Sequence, residues 1–177
     1  PVLFLYPKRL LHTAENTVEI PPEDCMVPFG RASVLRRGKD VTLVTWGNCV
    51  SICLSAASVA HAEGIECEII DLRTIIPWDR DAVLKSVRNT GRLIVVHEDA
   101  RTCGFGSEIV AEVVAECFDS LISPPTRVTK GDVHNPYNMR LQLAALPSVE
   151  QTAAAVRSIC QSRSDRAIRE ERMPESH

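Results

Sequence analysis

Short apolar segments alternate with segments of helical periodicity from Asp40 to residue 160. Four apolar segments, at 41–45, 65–72, 92–97 and 126–129, have the length and composition of β-strands. The first three are each followed by apolar residues at helical spacing, and a last helical segment begins after the fourth. This order predicts an α/β fold, with a parallel or mostly parallel sheet and helices on both faces.

Polar residues and glycine mark where these helices begin and end. Asn48 and Ser148 are suitable N-cap residues, and either Asp79 or Asp81 can cap the second helix. Gly91 fits the end of that second helix, because glycine readily adopts the left-handed backbone that closes a helix. Local sequence therefore supports the same division into elements as the apolar pattern does.

The two ends of the chain lack this alternation. Residues 1–39 have no sustained helical period, and 36–40 are typical of an exposed turn. The apolar segment Val2–Tyr6 is expected to form a strand only if a neighbouring strand pairs with it. Residues 161–177 carry charges of both signs and almost no apolar side chains, which predicts a frayed helix or a disordered tail.

Composition narrows the class of protein. The net charge of -3 argues against a surface for nucleic acid or anionic membrane, which needs a basic excess. No apolar run approaches the roughly 18 residues of a membrane span, and the apolar start lacks the basic region of a signal peptide. The first residue is Pro1 rather than Met, as expected of an internal fragment or a processed product.

Seven cysteines occur, an odd number with no Cys-x-x-Cys pair. Cys49 and Cys53 are one helical turn apart, which could in principle place two soft metal ligands on one face. No His or second Cys pair completes a zinc set. The pattern favours buried, small apolar side chains in a reducing compartment.

Two polar groups follow predicted strands, where open α/β sheets bind ligands. His97 and Glu98 end the third strand, and a His beside carboxylates can act as a general base. No nucleophile motif accompanies them, so a structural or interface role is favoured. Asp132, His134 and Asn135 follow the fourth strand and can ligate a metal. Without a second cluster, they are better interpreted as a polar interface loop.

Two further loops have a simpler interpretation. The Gly104–Gly106 segment precedes a helix and resembles a phosphate-binding loop. Ile109 stands where a dinucleotide-binding fingerprint has its third glycine, and the segment follows the third strand, so a tight turn is favoured. Asp71 and Arg73 form another strand-end pair, which we expect to hold a loop without chemistry.

Several stretches, in matching order and spacing over residues 1–160, resemble the β subunit of thiamine diphosphate-dependent 2-oxoacid dehydrogenases, in its transketolase C-terminal-type domain. The stretches are Asp40–Gly47, Glu68–Asp79, Ser86–Leu93, His97-Glu98, Gly104–Ile109, Glu116–Phe118 and Leu146–Ser148. The Glu68–Asp79 run and His97-Glu98 resemble the branched-chain type more than the pyruvate type. Pro1–Lys8 is similar to the end of the preceding pyrimidine-binding domain.

The resemblance implies a three-layer α/β/α sandwich at residues 40–160. Residues 1–39 are then the end of the pyrimidine-binding domain plus a linker, and 161–177 form a charged tail outside the resemblance. The implied reaction is oxidative decarboxylation of a 2-oxoacid with acyl transfer to a lipoyl group. The family's cofactor-activating and proton-transferring residues belong to the preceding domain. We therefore assign no catalytic, cofactor-binding or metal residue here, and expect thiamine diphosphate and Mg only in the full enzyme.

The resemblance also implies partners. The family assembles as a heterotetramer of two α and two β subunits, and this domain docks to the peripheral-subunit-binding domain of the lipoyl acyltransferase. The candidate partner-binding residues are Asp132, His134, Tyr137, His97 and Glu98. Asp132 precedes the Pro-Tyr segment and is expected to dock electrostatically to a basic partner.

Some alternatives remain open. The resemblance implies a branched-chain 2-oxoacid as the substrate, with pyruvate or acetoin as the alternatives. The chain could also be a stand-alone assembly module, or a small transketolase-like subunit that pairs with a separate pyrimidine-binding chain. Cys103 and Tyr6 depart from the family pattern, which has Gly and Glu there. The expected location is cytoplasmic in a bacterium and the mitochondrial matrix in a eukaryote.

Overall fold

The computed structural model describes residues 1–12 and 26–172. The described elements, in chain order, are β1 (Ser33–Arg36), β2 (Val41–Thr45), α1 (Cys49–Ala62), β3 (Cys67–Asp71), α2 (Arg80–Thr90), β4 (Leu93–Ala100), α3 (Gly106–Cys117), β5 (Thr126–Lys130), α4 (Met139–Ala145) and α5 (Val149–Arg172). Short 3₁₀ turns occur at Lys8–His12 and Phe118–Ser120. No described helix is both long enough and apolar enough to cross a membrane.

Five strands form one sheet in the order β1-β3-β2-β4-β5. β3, β2, β4 and β5 are parallel, whereas β1 is antiparallel to β3 at one edge. The central strand β2 is buried along its whole length, as expected of a strand with helices on both sides. The mostly parallel sheet predicted from the sequence is therefore confirmed.

The helices form a layer on each face of the sheet. The cluster on one face joins β2 and β4 to α1 and α5, and includes Cys53, Ala57 and Val156. The cluster on the other face joins the same strands to α2 and α3, and includes Val83 and Ile109. Fully burying a Val or Ile side chain contributes about 1.5–3 kcal/mol, so these two clusters hold the three layers together.

The predicted helix limits mostly agree with the structure. The Asp79 carboxylate accepts a hydrogen bond from the Ala82 N–H (3.2 Å), which decides between the two aspartates proposed as caps. Gly91 ends α2 with a φ of 69°. Asn48 lies at the N-cap position of α1, but its side chain makes no capping bond. A correct position thus does not guarantee the expected contact.

The structure also describes much of the two chain ends. Val2–Tyr6 is exposed and is not a strand, because no described strand pairs with it. The turn expected at 36–40 begins one residue later, because Arg36 ends β1. α5 continues to Arg172, so the backbone is helical over much of the segment expected to fray or be disordered. Residues 173–177 lie outside the described residues.

The sheet order places a topological switch point between β2 and β4. The chain leaves β2 for β3 on one side, and then returns to β4 on the other side. In open α/β sheets the crevice outside the carboxyl ends of the strands, at such a point, is where ligands usually bind. The loops that follow β2, β3, β4 and β5 lie at this carboxyl edge, and the candidate residues lie there too.

Candidate functional site

The loops after β4 and β5 are joined by Asp132. Thr102 donates two hydrogen bonds to it, from its N–H to Oδ1 (2.9 Å) and from its hydroxyl to Oδ2 (2.6 Å). These bonds, with that of the Thr102 hydroxyl as the largest cause, lower the pKa of Asp132 below its usual value of 3.8. Asp132 is therefore an exposed carboxylate that stays ionised at neutral pH.

An open groove of about 430 Å³ lies beside this carboxylate. Its lining combines polar and apolar side chains: Ala100, Thr102, Asp132, Val133 and His134. A carboxylate has about four lone-pair sites, and only two are used by Thr102. The groove thus offers a negative charge with free acceptor capacity next to apolar atoms, which suits a long basic side chain with an aliphatic stem.

Other side chains hold the two loops in place. Arg127 on β5 donates to the carbonyl oxygen of Arg101 (2.7 Å) and also to the Ser107 hydroxyl. Lys130 Nζ donates to Asn135 Oδ1 (2.9 Å) in the loop after β5. These contacts anchor the loops to the last strand of the sheet.

The structure separates the five candidate residues into an exposed group and an inner pair. Asp132, His134 and Tyr137 are exposed in the loop after β5, and Tyr137 is fully so. His97 is completely buried, and Glu98 is half-buried. The exposed group is available to a partner, whereas the His97 side chain does not reach the surface in this conformation.

His97 lies beneath the Gly104–Gly106 turn. Its ring stacks on Trp46, with the ring centroids 5.1 Å apart and an interplanar angle of 9°. A Cβ atom at Gly104 would lie 2.7 Å from the His97 Cε1 atom, and one at Gly106 would overlap the ring. Gly106 is therefore required by the close approach of the ring, and Gly104 by that of the ring and, more closely still, of the Ala100 carbonyl oxygen. This agrees with the tight turn favoured over phosphate binding.

The environment of His97 favours a neutral ring. Burial lowers its pKa below 6.5, Asp99 partly opposes this effect, and Arg127 adds to it. Among the described residues, neither ring nitrogen has a hydrogen-bond partner. Its packing matches the structural role favoured over that of a general base.

Glu98 connects β4 to α1. Its carboxylate accepts a hydrogen bond from Asn48 Nδ2 (2.7 Å). Asn48 therefore reaches across to β4 instead of capping its own helix. The negative charge near the first turn of α1 is favourable, because helix N-termini carry partial positive charge.

The cysteines of α1 match the apolar interpretation. Cys49 and Cys53 are both fully buried. Burial is the largest cause that raises their pKa, to about 12 for Cys53 and further for Cys49. Within residues 1–12 and 26–161, no group of three or more His, Cys, Asp or Glu side chains could hold a metal ion.

Sequence reasoning missed Thr102 and Trp46. Thr102 is 30 residues from Asp132 along the chain, and only the adjacency of β4 and β5 brings the two together. Trp46 directly follows β2, next to β4, and so faces His97. The correct strand order could have suggested both contacts, but the sequence does not specify that order.

Comparison with known proteins supports the resemblance drawn from the sequence. The family model for the transketolase C-terminal domain matches residues 30–152. The 2-oxoisovalerate dehydrogenase subunit beta 2 of Arabidopsis thaliana is 42% identical over 158 residues, which are 89% of this chain and 43% of that protein. A pyruvate dehydrogenase E1 subunit beta of Rickettsia bellii is 40% identical, over 90% of this chain and 48% of that protein.

Other relatives extend the comparison. The acetoin:2,6-dichlorophenolindophenol oxidoreductase subunit beta of Cupriavidus necator is 41% identical, over 89% of this chain and 46% of that protein. A solved split-gene transketolase, described as an inactive β4 tetramer, has a TM-score of 0.69 and 30% identity, and covers 81% of this chain and 46% of its own. The chain thus spans less than half the length of these relatives. It belongs to the transketolase C-terminal domain family and is similar to the β subunits of 2-oxoacid dehydrogenases.

Proposed function

We propose that this chain is the C-terminal domain of the β subunit of a 2-oxoacid dehydrogenase. The full enzyme would oxidatively decarboxylate a 2-oxoacid and transfer the acyl group to a lipoyl arm. Identities of 38–42% to β subunits, over 77–90% of the chain, support this function. Residues 1–39 would be the end of the preceding domain plus a linker, and 161–177 a charged tail.

Branched-chain 2-oxoacids are the proposed substrates. The Glu68–Asp79 run and His97-Glu98 resemble the branched-chain type, and the Arabidopsis relative is a 2-oxoisovalerate dehydrogenase subunit. Pyruvate and acetoin are the alternatives, because relatives named for them are 40% and 41% identical. Identities this close do not separate the three.

The role proposed for this domain is docking to the acyltransferase core. The observation that carries it is the exposed, ionised Asp132 beside an open groove. A Lys or Arg of the peripheral-subunit-binding domain would pair with Asp132, while its aliphatic stem contacts Ala100 and Val133. His134 lines the same groove, and Tyr137 is exposed nearby in sequence.

The domain would also contribute to subunit assembly. Large apolar side chains of α4 are more than half exposed: Met139, Leu141 and Leu143. Several large apolar side chains exposed within one helix favour a protein interface there. The α subunit and a second β subunit are the proposed occupants.

The full enzyme would use thiamine diphosphate and Mg, which supply the decarboxylation chemistry when bound. Among the described residues, no group of three or more His, Cys, Asp or Glu side chains could hold a metal ion such as Mg. We assign no reaction step to this domain. By the same resemblance, the protein would work in the bacterial cytoplasm or the mitochondrial matrix.

An activity assay tests the proposal. The complete β chain is assembled with its α subunit, thiamine diphosphate and Mg, and is supplied with branched-chain 2-oxoacids, pyruvate or acetoin. We expect substrate-dependent reduction of lipoyl groups, fastest with a branched-chain 2-oxoacid. No turnover of any of these substrates would reject the dehydrogenase assignment and leave a stand-alone assembly module or a transketolase-like subunit.

A transketolase-like subunit is the second candidate. It is favoured by the 30% identity and the TM-score of 0.69 to a split-gene transketolase. Ketol transfer between sugar phosphates, in the presence of a separate pyrimidine-binding chain and without lipoyl reduction, would support it over the dehydrogenase.

A further inference from the structure

The loop after β3, residues 73–79, holds the chain segment that enters the domain at residues 30–32. The Gly30 N–H donates to the Thr74 hydroxyl (2.9 Å), and the Ala32 N–H donates to Asp79 Oδ2 (2.9 Å). Asp79 also caps α2, so this carboxylate joins the entering segment directly to a helix. Both bonds fix backbone groups that lie more than 40 residues away in sequence.

Arg73 adds two more bonds to the same segment. Its Nε donates to the Arg31 carbonyl oxygen (3.1 Å), and its Nη2 donates to that of Ala32 (3.2 Å). Arg73 has a φ of 58°, and its N–H is held by Asp71 Oδ1 (3.0 Å). A non-glycine residue keeps this unfavourable backbone only where surrounding contacts maintain it. We call residues 73–79 the clasp loop.

The clasp loop turns an apolar tip outward. Ile76 is 87% exposed, although large aliphatic side chains are normally buried. A Cβ atom at Gly30 would lie 3.3 Å from Pro77 Cγ, so the entering segment packs directly against the loop beside this tip. Met26, Val27 and Phe29 precede that contact and are also more than half exposed. Apolar side chains are thus exposed on both sides of the contact.

We propose that the clasp loop positions the preceding domain of the β subunit: it fixes the direction of residues 30–32, while Ile76 packs against that domain. This inference rests on the proposed function, in which residues 1–39 are the end of a preceding domain plus a linker; the matched part is 43% of the Arabidopsis relative and 48% of the Rickettsia relative. Under that function the chain before residue 30 would lead into the preceding domain, and Ile76 is exposed beside the point where the entering segment contacts the loop. A displacement of about 1 Å in an active site can cost about 100-fold in rate, so a fixed orientation matters for catalysis.

Ile76→Asn in the complete enzyme tests the proposed contact. Ile76 is exposed within this domain, so the substitution should leave the thermal stability of the domain unchanged. We expect kcat/KM of the assembled dehydrogenase to fall about tenfold or more, because the preceding domain is no longer held in place. Val59→Asn is the matched control, since Val59 is a partly exposed aliphatic residue on α1, and its activity should equal that of the wild type.

Thr74→Val and Thr74→Ser test the clasp itself. The Val variant removes the hydroxyl that accepts the Gly30 N–H, whereas the Ser variant keeps a hydroxyl. Hydrogen exchange in the complete enzyme should become faster at residues 30–32 in the Val variant, together with a loss of activity. The Ser variant should restore both towards wild-type values.

The outcomes separate the two proposals. An inactive wild-type enzyme rejects the dehydrogenase assignment itself. An active wild type with a fully active Ile76→Asn variant rejects only the positioning role. Loss of domain stability in Ile76→Asn would also overturn it, by showing that the tip acts within the domain. If excess α subunit restores Ile76→Asn activity, the patch contacts the α subunit instead and the proposal is wrong.

Discussion

Asp79 and Asp132 both lie in loops at the carboxyl edge of the sheet, and both accept two hydrogen bonds. The Asp79 bonds come from Ala32 and Ala82, which belong to two different elements, and the carboxylate is partly buried between them. Both Asp132 bonds come from Thr102, and the carboxylate remains exposed. Hydrogen-bond count alone therefore does not identify a binding residue. A carboxylate that can bind a partner is distinguished by its exposure and its unused acceptor sites from one that only holds two elements of the domain together.

The largest effect on stability is expected from Gly106→Ala, beneath the Asp132 loops. The new Cβ would overlap the His97 ring, and overpacking of this kind costs about 1–3 kcal/mol. Urea unfolding measures the loss. Adding His97→Ala should recover part of it, because the double variant removes the clash. If the losses in unfolding free energy of the two single variants simply add in the double variant, the clash with the ring is not the cause.

Asp79→Ala should cost about 2 kcal/mol. It removes the N-cap of α2, typically worth about 1 kcal/mol, and the bond to Ala32, worth about another 1 kcal/mol. Asp81→Ala, in the first turn of the same helix, is the control and should cost much less. Binding of the acyltransferase domain should be unchanged in both variants, which would sharpen the contrast with Asp132.

His97 should make stability depend on pH. Burial lowers its pKa, so the folded state binds the proton less readily than the unfolded state. Stability should be complete above the ordinary value of 6.5, and should decline as pH falls from there towards the folded pKa. His97→Phe should remove this decline, as measured by thermal unfolding between pH 7 and pH 5. If the stability of His97→Phe declines at low pH as that of the wild type does, another group is responsible.

The smallest expected effect is on the titration of Asp132. Thr102→Val removes the hydroxyl that is the largest cause of its lowered pKa, so this pKa should rise towards 3.8. Carbon-13 NMR of the carboxyl group follows the titration. Thr102→Ser should keep the low value, and an equal pKa in all three proteins would contradict the role of this hydrogen bond.

Much of the fold was predictable because it follows from apolar periodicity. The strands β2 to β5 and the helices α1, α2, α3 and α5 each have an apolar side that the sequence displays. β1 was missed because it is a four-residue edge strand with no fully buried residue. α4 was missed because none of its residues is buried, so it has no apolar stripe facing the core.

The site was predictable only in part. Asp132 and its loop could be chosen from the sequence because they follow a strand and match a family pattern. The complete burial of His97 could not be predicted, because it depends on Trp46 and on two glycines that the sheet order brings near the ring. Of the five residues chosen from the sequence, three are exposed. The other two, His97 and Glu98, contact Trp46 and Asn48 within the domain.

The affinity of the assembled dehydrogenase for the peripheral-subunit-binding domain of the acyltransferase, compared between wild type and Asp132→Asn, tests the docking role most directly. Asparagine keeps the size of the side chain and an acceptor oxygen while removing the charge. We expect binding to weaken about tenfold or more, and the salt dependence of the wild-type affinity to decrease. Equal affinity and equal salt dependence in the two proteins would contradict a docking site at Asp132.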